Sequence, residues 1–241
     1  MKMNMVSIRM TILFLFAGFL LGPLAAQDST FRGEKIRFQK DIREYLVRDS
    51  VQPPPKQSIL FIGSSIFRRW TTLTDDMAPL PVFNRAFGGS RTHDVLYYMD
   101  KIVFPYEPKL IFYYCGSNDA GGSVPANKVV NNIKEFFERV EQRLPETKIF
   151  FVSVNRSPQR IAKWPGIDSI NAMIQVYCRQ SAKRQYIDVN IALFDRTGKP
   201  RYDLYLDDQL HFKEESYKEF TRIIKPIVAK EWTALHPPSE R

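Results

Sequence analysis

Serine, histidine and aspartate residues in this sequence stand where acyl-transfer chemistry could use them. Ser64 and Ser65 follow a glycine that ends the apolar run 58–62. Far along the chain, His211 has Asp208 three residues before it. A serine hydroxyl becomes a nucleophile when a histidine accepts its proton, and a carboxylate orients that histidine and supports its positive charge. These residue types therefore indicate a nucleophile, a base and an acid that orients the base.

Two further segments contain groups that can stabilise an oxyanion. Gly88 and Gly89 end the second apolar run, 81–87, in the segment FGGSRTHD, and Asn118 follows the third run, 109–115, in GSND. A glycine lets the backbone approach closely and presents an N–H, and an asparagine amide is a second donor. The tetrahedral intermediate of acyl transfer needs such preorganised donors. The two segments are therefore candidates for an oxyanion hole, although the same residues are also common in turns.

The elements that must position these residues can be predicted from the apolar pattern. Short apolar runs predict five strands, over 58–62, 81–87, 109–115, 148–154 and 185–189. Amphipathic stretches predict helices over 31–48, 92–103, 125–144, 166–183 and 213–233. Strands that are apolar on both faces and alternate with helices indicate a parallel sheet between two helical layers. We expect a three-layer α/β/α sandwich of the flavodoxin-like kind, in which the carboxyl ends of about five strands bring the four segments to one edge.

The first 26 residues differ in composition from the rest of the chain. Lys2 and Arg9 precede the apolar stretch 11–26, which ends in Ala25 and Ala26. A basic start, a short apolar stretch and small residues at its end are typical of a signal peptide. An uncleaved amino-terminal anchor and a buried helix are the alternatives. We expect an exported protein with four parts: a leader (1–26), a leading helix with a proline-rich connector (27–57), a catalytic domain (58–235) and a tail (236–241).

The charge of the chain limits its partners. The formal net charge is +9, and it falls to +7 without the leader, whose charged residues are Lys2 and Arg9. Lysines and arginines are scattered among acidic residues, so nucleic-acid binding is not supported. A basic exported protein can favour acidic polymers or anionic surfaces.

The two cysteines, Cys115 and Cys178, lie in apolar segments and are expected to be small buried hydrophobes rather than a disulfide. Their spacing does not indicate a zinc site, and no metal or organic cofactor is expected.

Four segments in order carry a resemblance to a known family. FIGSSIFRRW, NRAFGGS, GSND and DDQLH resemble the four blocks of SGNH (GDSL-type) hydrolases, close to the branch similar to platelet-activating-factor acetylhydrolase. The likeness extends from about residue 33 to about residue 230 and includes the stretch SPQRIAKWPGI. It implies that Ser65 is the nucleophile, His211 the base and Asp208 its orienter. It also implies an oxyanion hole formed by the backbone N–H groups of Ser65 and Gly89 and the side chain of Asn118.

Several alternatives stay open beside these assignments. The family block more often reads Gly-Asp-Ser, so Ser64 stands where an aspartate is usual. Ser64 is the rival nucleophile and Asp207 the rival orienter. His93 is expected to cap a helix or lie at the surface, and His236 is expected in a mobile tail.

Other polar and aromatic residues near the blocks also have two interpretations. Arg68, Arg69 and Arg91 are solvated charges or contacts for an anionic substrate. Trp70 and Trp164 are packing residues or a platform for a sugar ring.

The combined prediction is an exported serine esterase that acts through a covalent acyl-enzyme on a small-molecule or glycan ester. A short acyl group such as acetyl on a carbohydrate is preferred, because no long apolar lid is apparent in the sequence. A lysophospholipase or other lipid esterase is the alternative enzyme. A non-catalytic protein of the same fold that binds an envelope glycan, tethered through residues 11–26, is the alternative outside catalysis.

Overall fold

Five parallel strands form the central sheet of residues 35–236, the part of the chain that the computed structural model describes. The strands lie in the order β2-β1-β3-β4-β5, and every neighbouring pair is parallel. This is the order of flavodoxin-like sheets, so the predicted fold class is confirmed. The strand bounds are β1 (Ile59–Gly63), β2 (Val82–Asn84), β3 (Leu110–Tyr114), β4 (Lys148–Val152) and β5 (Arg184–Ile187).

Helices connect the strands and cover both faces of the sheet. Two predictions need correction: the helix expected over 92–103 is split at Tyr98 into two helices, and the leading helix begins only at Gln39. Phe38 has a φ of 67°, which an α-helix cannot contain. The helices are α1 (Gln39–Val51), α2 (Ser65–Arg68), α3 (Leu73–Met77), α4 (Thr92–Tyr97), α5 (Met99–Ile102), α6 (Ser117–Gly121), α7 (Ala126–Arg143), α8 (Trp164–Cys178) and α9 (Glu214–Leu235).

Aromatic side chains stack across the centre of the sheet. Phe61, Phe112 and Phe150 occupy paired positions on β1, β3 and β4. Their ring centroids are 4.8 and 4.5 Å apart, and the ring planes are within 10° of parallel. The same face is covered by α2, α3 and α9. Trp70, which lies between α2 and α3, stacks its ring on that of Tyr217 in α9. The stacking across the sheet supports the register of β1, β3 and β4, and the ends of β1 and β3 lead directly into two segments of the candidate site.

The opposite face of the sheet packs against α7. Tyr113 points to this face because successive strand residues alternate. Its ring contacts Phe136 and Phe137 of α7, at centroid distances of 4.7 and 6.1 Å. Helices α4 and α8 lie beside α7. The described chain therefore has the predicted three layers.

The leading helix packs beside the loop that follows β2. The hydroxyl of Tyr45 donates to the carbonyl of Ala86 at 2.5 Å, and the ring of Phe38 lies 5.1 Å from that of Phe87. Asp49 on the same helix forms a largely buried ion pair with Arg85. The leading helix is thus anchored next to the glycine-containing segment 88–89.

The predicted leader, its alternatives and the tail beyond His236 lie outside the described residues. Among residues 35–236, no helix is long and apolar enough to cross a membrane. Cys115 and Cys178 are buried free thiols, as predicted.

Gly63 should be intolerant of any side chain. Its φ is +143°, and a Cβ atom there would overlap the backbone carbonyl of Tyr114 on β3. Gly63→Ala should lower the free energy of unfolding by about 3 kcal/mol or more, because backbone strain adds to overpacking. Gly166→Ala is the matched control, since Gly166 lies exposed in α8 with open space around it. This substitution should raise the free energy of unfolding by up to about 1 kcal/mol. Urea unfolding measures both; equal effects of the two substitutions would contradict the prediction.

Candidate active site

Ser65 stands at the carboxyl end of β1, where the strand turns sharply into α2. The N–H of Ser64 donates to the carbonyl of Tyr114 at 3.0 Å, which holds the turn against β3. Ser65 is the first residue of α2 and lines an open cleft of about 680 Å³. The strand end therefore presents the Ser65 hydroxyl to this cleft.

The imidazole of His211 connects Ser65 to Asp208. The distance from His211 Nε2 to Ser65 Oγ is 3.1 Å, and that from His211 Nδ1 to Asp208 Oδ2 is 2.6 Å. Both lie within hydrogen-bond range. If Nδ1 carries the proton that Asp208 accepts, Nε2 is free to accept the proton of Ser65. The structure thus brings together the three residues predicted as nucleophile, base and orienter.

A tight turn between β5 and α9 holds the acid and the base. Tyr205 and Phe212 form an antiparallel bridge at its base, and the N–H of Leu206 donates to the carbonyl of His211 at 2.8 Å. Gln209 at the tip has a φ of 55°, and its carbonyl accepts the N–H of Gln159 at 3.0 Å. The turn is therefore closed by its own backbone and tied to the loop after β4.

Asp208 accepts hydrogen bonds with both carboxylate oxygens. Its Oδ1 accepts the N–H groups of Leu210 and His211 at 2.9 and 2.8 Å, while Oδ2 faces the imidazole. Desolvation raises the pKa of this carboxyl, but the hydrogen bonds from His211 and the two backbone groups outweigh it. The pKa of Asp208 is lowered from 3.8 to about 2. The carboxylate consequently stays ionised at any pH near neutrality.

The two predicted oxyanion segments border the same cleft. Gly89, with a φ of +79°, and Asn118 both line it together with Ser65. The Asn118 amide donates to the carbonyl of Ser90 at 3.0 Å, and the hydroxyl of Ser90 donates to the carbonyl of Gly63 at 3.1 Å. The predicted donors are therefore held close to the nucleophile by direct hydrogen bonds between their loops.

The sequence did not indicate two contacts that fix Asn118. Arg160 donates from Nη2 to Asn118 Oδ1 at 3.2 Å and from Nη1 to the hydroxyl and carbonyl of Ser117. Asp119 accepts hydrogen bonds from the N–H and hydroxyl of Thr92, which joins α6 to α4. Burial raises the pKa of Asp119 and lowers that of Arg160. Arg160 lies in the stretch SPQR, but its partners are more than 40 residues earlier, so local sequence gives no signal for them.

The rival residues occupy different environments. Ser64 is 1% exposed, and its hydroxyl has no hydrogen-bond partner among residues 35–236. Asp208, rather than Asp207, contacts the imidazole of His211. His93 pairs with Asp94 at 3.3 Å at the start of α4. The geometry favours Ser65 and Asp208 for the predicted roles.

The tail histidine and the tryptophans make packing contacts. His236, for which a mobile tail was predicted, directly follows α9, and its ring packs on that of Trp232 at 4.1 Å. Trp70 is buried and donates to Asp76 at 2.6 Å. Trp164 donates to the carbonyl of Ser157 at 2.9 Å and contacts the ring of Phe194. The packing interpretation therefore holds for Trp70.

Charged side chains surround the cleft without forming a metal site. Arg68, Arg69 and Asp41 line the cleft itself, and Arg91 lines the pocket next to it. Within the described range, no group of three or more histidine, cysteine, aspartate or glutamate side chains could hold a metal ion.

Solved structures of similar fold include several hydrolases. A candidate platelet activating factor from Streptococcus pneumoniae is 23% identical with a TM-score of 0.70, and the match covers 78% of this chain and 91% of that one. A GDSL-like lipase from Bacteroides thetaiotaomicron is 21% identical with a TM-score of 0.69, covering 78% and 97%. A catalytic mutant of an acetylxylan esterase from Geobacillus stearothermophilus is 12% identical with a TM-score of 0.60, covering 72% and 95%. These likenesses show a shared fold.

Comparison at the level of sequence identifies the family. No curated protein matches this chain significantly. The profile of the GDSL-like lipase/acylhydrolase family matches residues 61–219, which is more than half of the chain and includes Ser65, Asp208 and His211. The chain therefore belongs to the GDSL-like lipase/acylhydrolase family and is a serine ester hydrolase of the SGNH fold.

Proposed function

We propose that this protein is an exported serine esterase that removes short acyl groups, such as acetyl, from a carbohydrate through an acyl-enzyme. The observation that carries the proposal is the continuous contact from Asp208 through His211 to Ser65, with distances of 2.6 and 3.1 Å. This arrangement can move one proton away from a hydroxyl while the charge of the resulting imidazolium is balanced.

In the first half-reaction, Ser65 Oγ attacks the ester carbonyl and its proton passes to His211 Nε2. Asp208 supports the imidazolium that forms. The carbonyl oxygen becomes an oxyanion, for which Ser65 N–H, Gly89 N–H and the Asn118 amide are the proposed donors. Collapse of the tetrahedral intermediate breaks the bond to the leaving alcohol, which takes the proton from His211.

In the second half-reaction, a water molecule attacks the acyl group that is esterified to Ser65. His211 accepts a proton from this water and then returns it to Ser65 Oγ as the acid leaves. The same oxyanion donors serve both steps. Each half-reaction thus uses the imidazole once as base and once as acid.

The lining of the cleft supports a short acyl group. The polar and small residues that line the cleft include Thr71, Gly88, Asn118, Arg68 and Arg69. Within the described chain, the apolar side chains that line it are those of Leu210 and Phe212. A long acyl chain needs a continuous apolar surface to leave water favourably. An acetyl group needs little such surface. The acetylxylan esterase of similar fold is consistent with a carbohydrate substrate.

The proposed location outside the cytoplasm rests on residues 1–26, with their basic start and apolar stretch 11–26. The partner that we propose is a small-molecule or glycan ester, and residues 11–26 are a membrane tether if the leader is not cleaved. We do not propose nucleic acid as a partner, because basic residues are scattered along the sequence.

Replacing Ser65 and Ser64 in turn should show which of the two adjacent serines is the nucleophile. Ser65→Ala should lower kcat for 4-nitrophenyl acetate by about 10,000-fold or more and abolish labelling by a fluorophosphonate probe. Ser64→Ala is the matched control and should keep labelling and most activity, because its hydroxyl is buried away from the cleft. A folded wild-type protein that neither labels nor hydrolyses would favour the glycan-binding alternative.

Asp208→Asn should affect both catalysis and acid stability. At pH 7 the change should lower kcat by about 10,000-fold, because the amide cannot hold the required tautomer of His211. The pKa of Asp208 falls from 3.8 to about 2 on folding. Its contribution to stability is therefore complete above about pH 4 and disappears as the pH falls towards 2.

Chemical unfolding of both proteins between pH 6 and pH 2 measures this contribution. The difference in free energy of unfolding between wild type and Asp208→Asn should shrink over the interval from pH 4 to pH 2. Because the Asp208 side chain is 42% exposed, solvent screens the effect and the difference should be modest. A difference that grows on acidification would contradict the assignment.

The preference for short acyl groups predicts the order of rates in a series of 4-nitrophenyl esters. The value of kcat/KM should be highest for acetate and fall by at least about tenfold at octanoate, because each added methylene finds little apolar surface. Acetylated xylan oligosaccharides should also release acetate. Faster hydrolysis of octanoate than of acetate, or release of fatty acid from lysophospholipid alone, would instead support the lipid esterase.

A further inference from the structure

A second pocket adjoins the catalytic cleft and has an unusual charge. Its volume is about 510 Å³, and it shares Gly89 and Asn118 with the cleft. Of the described residues 35–236, those that line it include no aspartate or glutamate, whereas four have basic side chains: Arg37, Arg91, Arg160 and Lys163. A ligand that reacts at Ser65 can therefore extend past the oxyanion donors directly into a basic environment. This set of residues is called the basic pocket below.

Three of the four cations have partners within the protein. Arg37 is paired with Asp94, and Arg160 donates to Asn118 and Ser117. Lys163 has no acidic partner within the described part of the chain, and its Nζ donates to the neutral hydroxyl of Ser123 at 2.8 Å. These contacts hold the walls of the basic pocket in place.

Arg91 is the exception among the four. Within residues 35–236, its guanidinium has no hydrogen bond and no ion pair, although the residue is partly buried. The guanidinium lies beside Gly122, the residue that follows α6. A Cβ atom on Gly122 would be 2.5 Å from Arg91 Nη2, and one on Gly121 would be 2.8 Å from the Cζ of Arg160. The two glycines thus provide the space that both guanidinium groups occupy.

We propose that the basic pocket binds a carboxylate group carried by the ester substrate, with Arg91 as its main contact. This inference rests on the proposed esterase function and narrows its substrate to an acidic ester. A guanidinium presents two parallel N–H groups that match the two oxygens of a carboxylate. Within the described residues, the basic pocket offers one unpartnered guanidinium and one ammonium without an acidic partner. This pair suits an anion of a single charge better than it suits a larger polyanion. Because the basic pocket begins at the oxyanion donors, the carboxylate lies within the same small molecule or sugar unit as the ester.

Matched ester pairs show whether the charge is recognised and on which side of the ester it lies. For the alcohol side, 4-acetoxybenzoate is compared with 4-acetoxybenzamide. For the acyl side, 4-nitrophenyl hemisuccinate is compared with its methyl ester. In each pair, the measured quantity is the ratio of kcat/KM for the anionic ester to that for the neutral ester. The wild-type ratio should exceed one in one of the pairs and should fall as salt concentration rises.

Two variants then locate the contact. Arg91→Gln should lower that ratio by at least about tenfold, because a hydrogen bond to a charged group is lost. Gly122→Ala should lower it in the same direction by displacing the guanidinium without changing its charge. Lys230→Gln is the control; it removes one equal charge from an exposed position on α9 outside both pockets and should leave the ratio within about twofold. Equal ratios in wild type and Arg91→Gln, for both pairs, would overturn the proposal.

A binding measurement separates this proposal from the esterase function itself. In a Ser65→Ala background, calorimetry should show 4-acetoxybenzoate or the hemisuccinate ester binding more tightly than its neutral partner, and Arg91→Gln should remove that difference. A wild-type protein without esterase activity whose Ser65→Ala form still binds the anionic ester more tightly would contradict the esterase function and support the basic pocket. An active enzyme that shows no preference for the anionic ester, in rate or in binding, would support the esterase function and contradict the proposed role of the basic pocket.

Discussion

The backbone around Gly63 joins the loops that make up the nucleophile side of the active site. Its carbonyl accepts the N–H of Phe87 at 3.0 Å and the hydroxyl of Ser90 at 3.1 Å, while the following N–H, that of Ser64, donates to Tyr114 at 3.0 Å. The backbone of Gly63 and Ser64 therefore joins the carboxyl ends of β1, β2 and β3. The close approach to Tyr114 leaves no room for a Cβ atom, so the arrangement depends on glycine. A buried backbone group that lost its partner here would cost about 1–3 kcal/mol, which explains why the three loops keep one relative position.

His211, the proposed base, reaches this assembly from a separate and more exposed turn. The turn that contains Asp208 and His211 is closed by the bridge between Tyr205 and Phe212, and the side chain of Asp208 is 42% exposed. The contact between His211 and Ser65 connects it with the nucleophile. The candidate oxyanion donors are thus held by hydrogen bonds through the buried Ser90, whereas the position of His211 depends on one short turn and its tie to Gln159. The low pKa of Asp208 reflects the hydrogen bonds within that turn.

Most of the fold could be predicted because the three central strands are buried on both faces. The residues of β1 and β3 are all buried, so their sequences read as continuous apolar runs that end where a glycine begins the next loop. The candidate nucleophile, base and acid were predicted from residue types and from the family resemblance, and the structure places the three in contact. The break at Tyr98 was missed because the apolar face continues across it.

The contacts of Arg160 and Arg91 could not be predicted for a different reason. Arg160 meets Asn118 only because the loops after β3 and β4 lie side by side, and Arg91 lies on Gly122 because α4 packs near α6. Such contacts depend on packing between distant segments, which local sequence patterns do not encode. The basic pocket is therefore a property of the folded chain.

The wide separation of the proposed nucleophile and base along the chain has a consequence for biosynthesis. Ser65 and His211 are 146 positions apart, and the turn that holds His211 lies between the last strand and the last helix. A nascent polypeptide emerging from the ribosome exposes the serine long before the imidazole has been translated. Closing such a long loop carries an entropic cost that is recovered only when the packing around it forms. The contact proposed for catalysis thus forms only after translation has passed the final turn, and a chain cleaved before this turn lacks the proposed base.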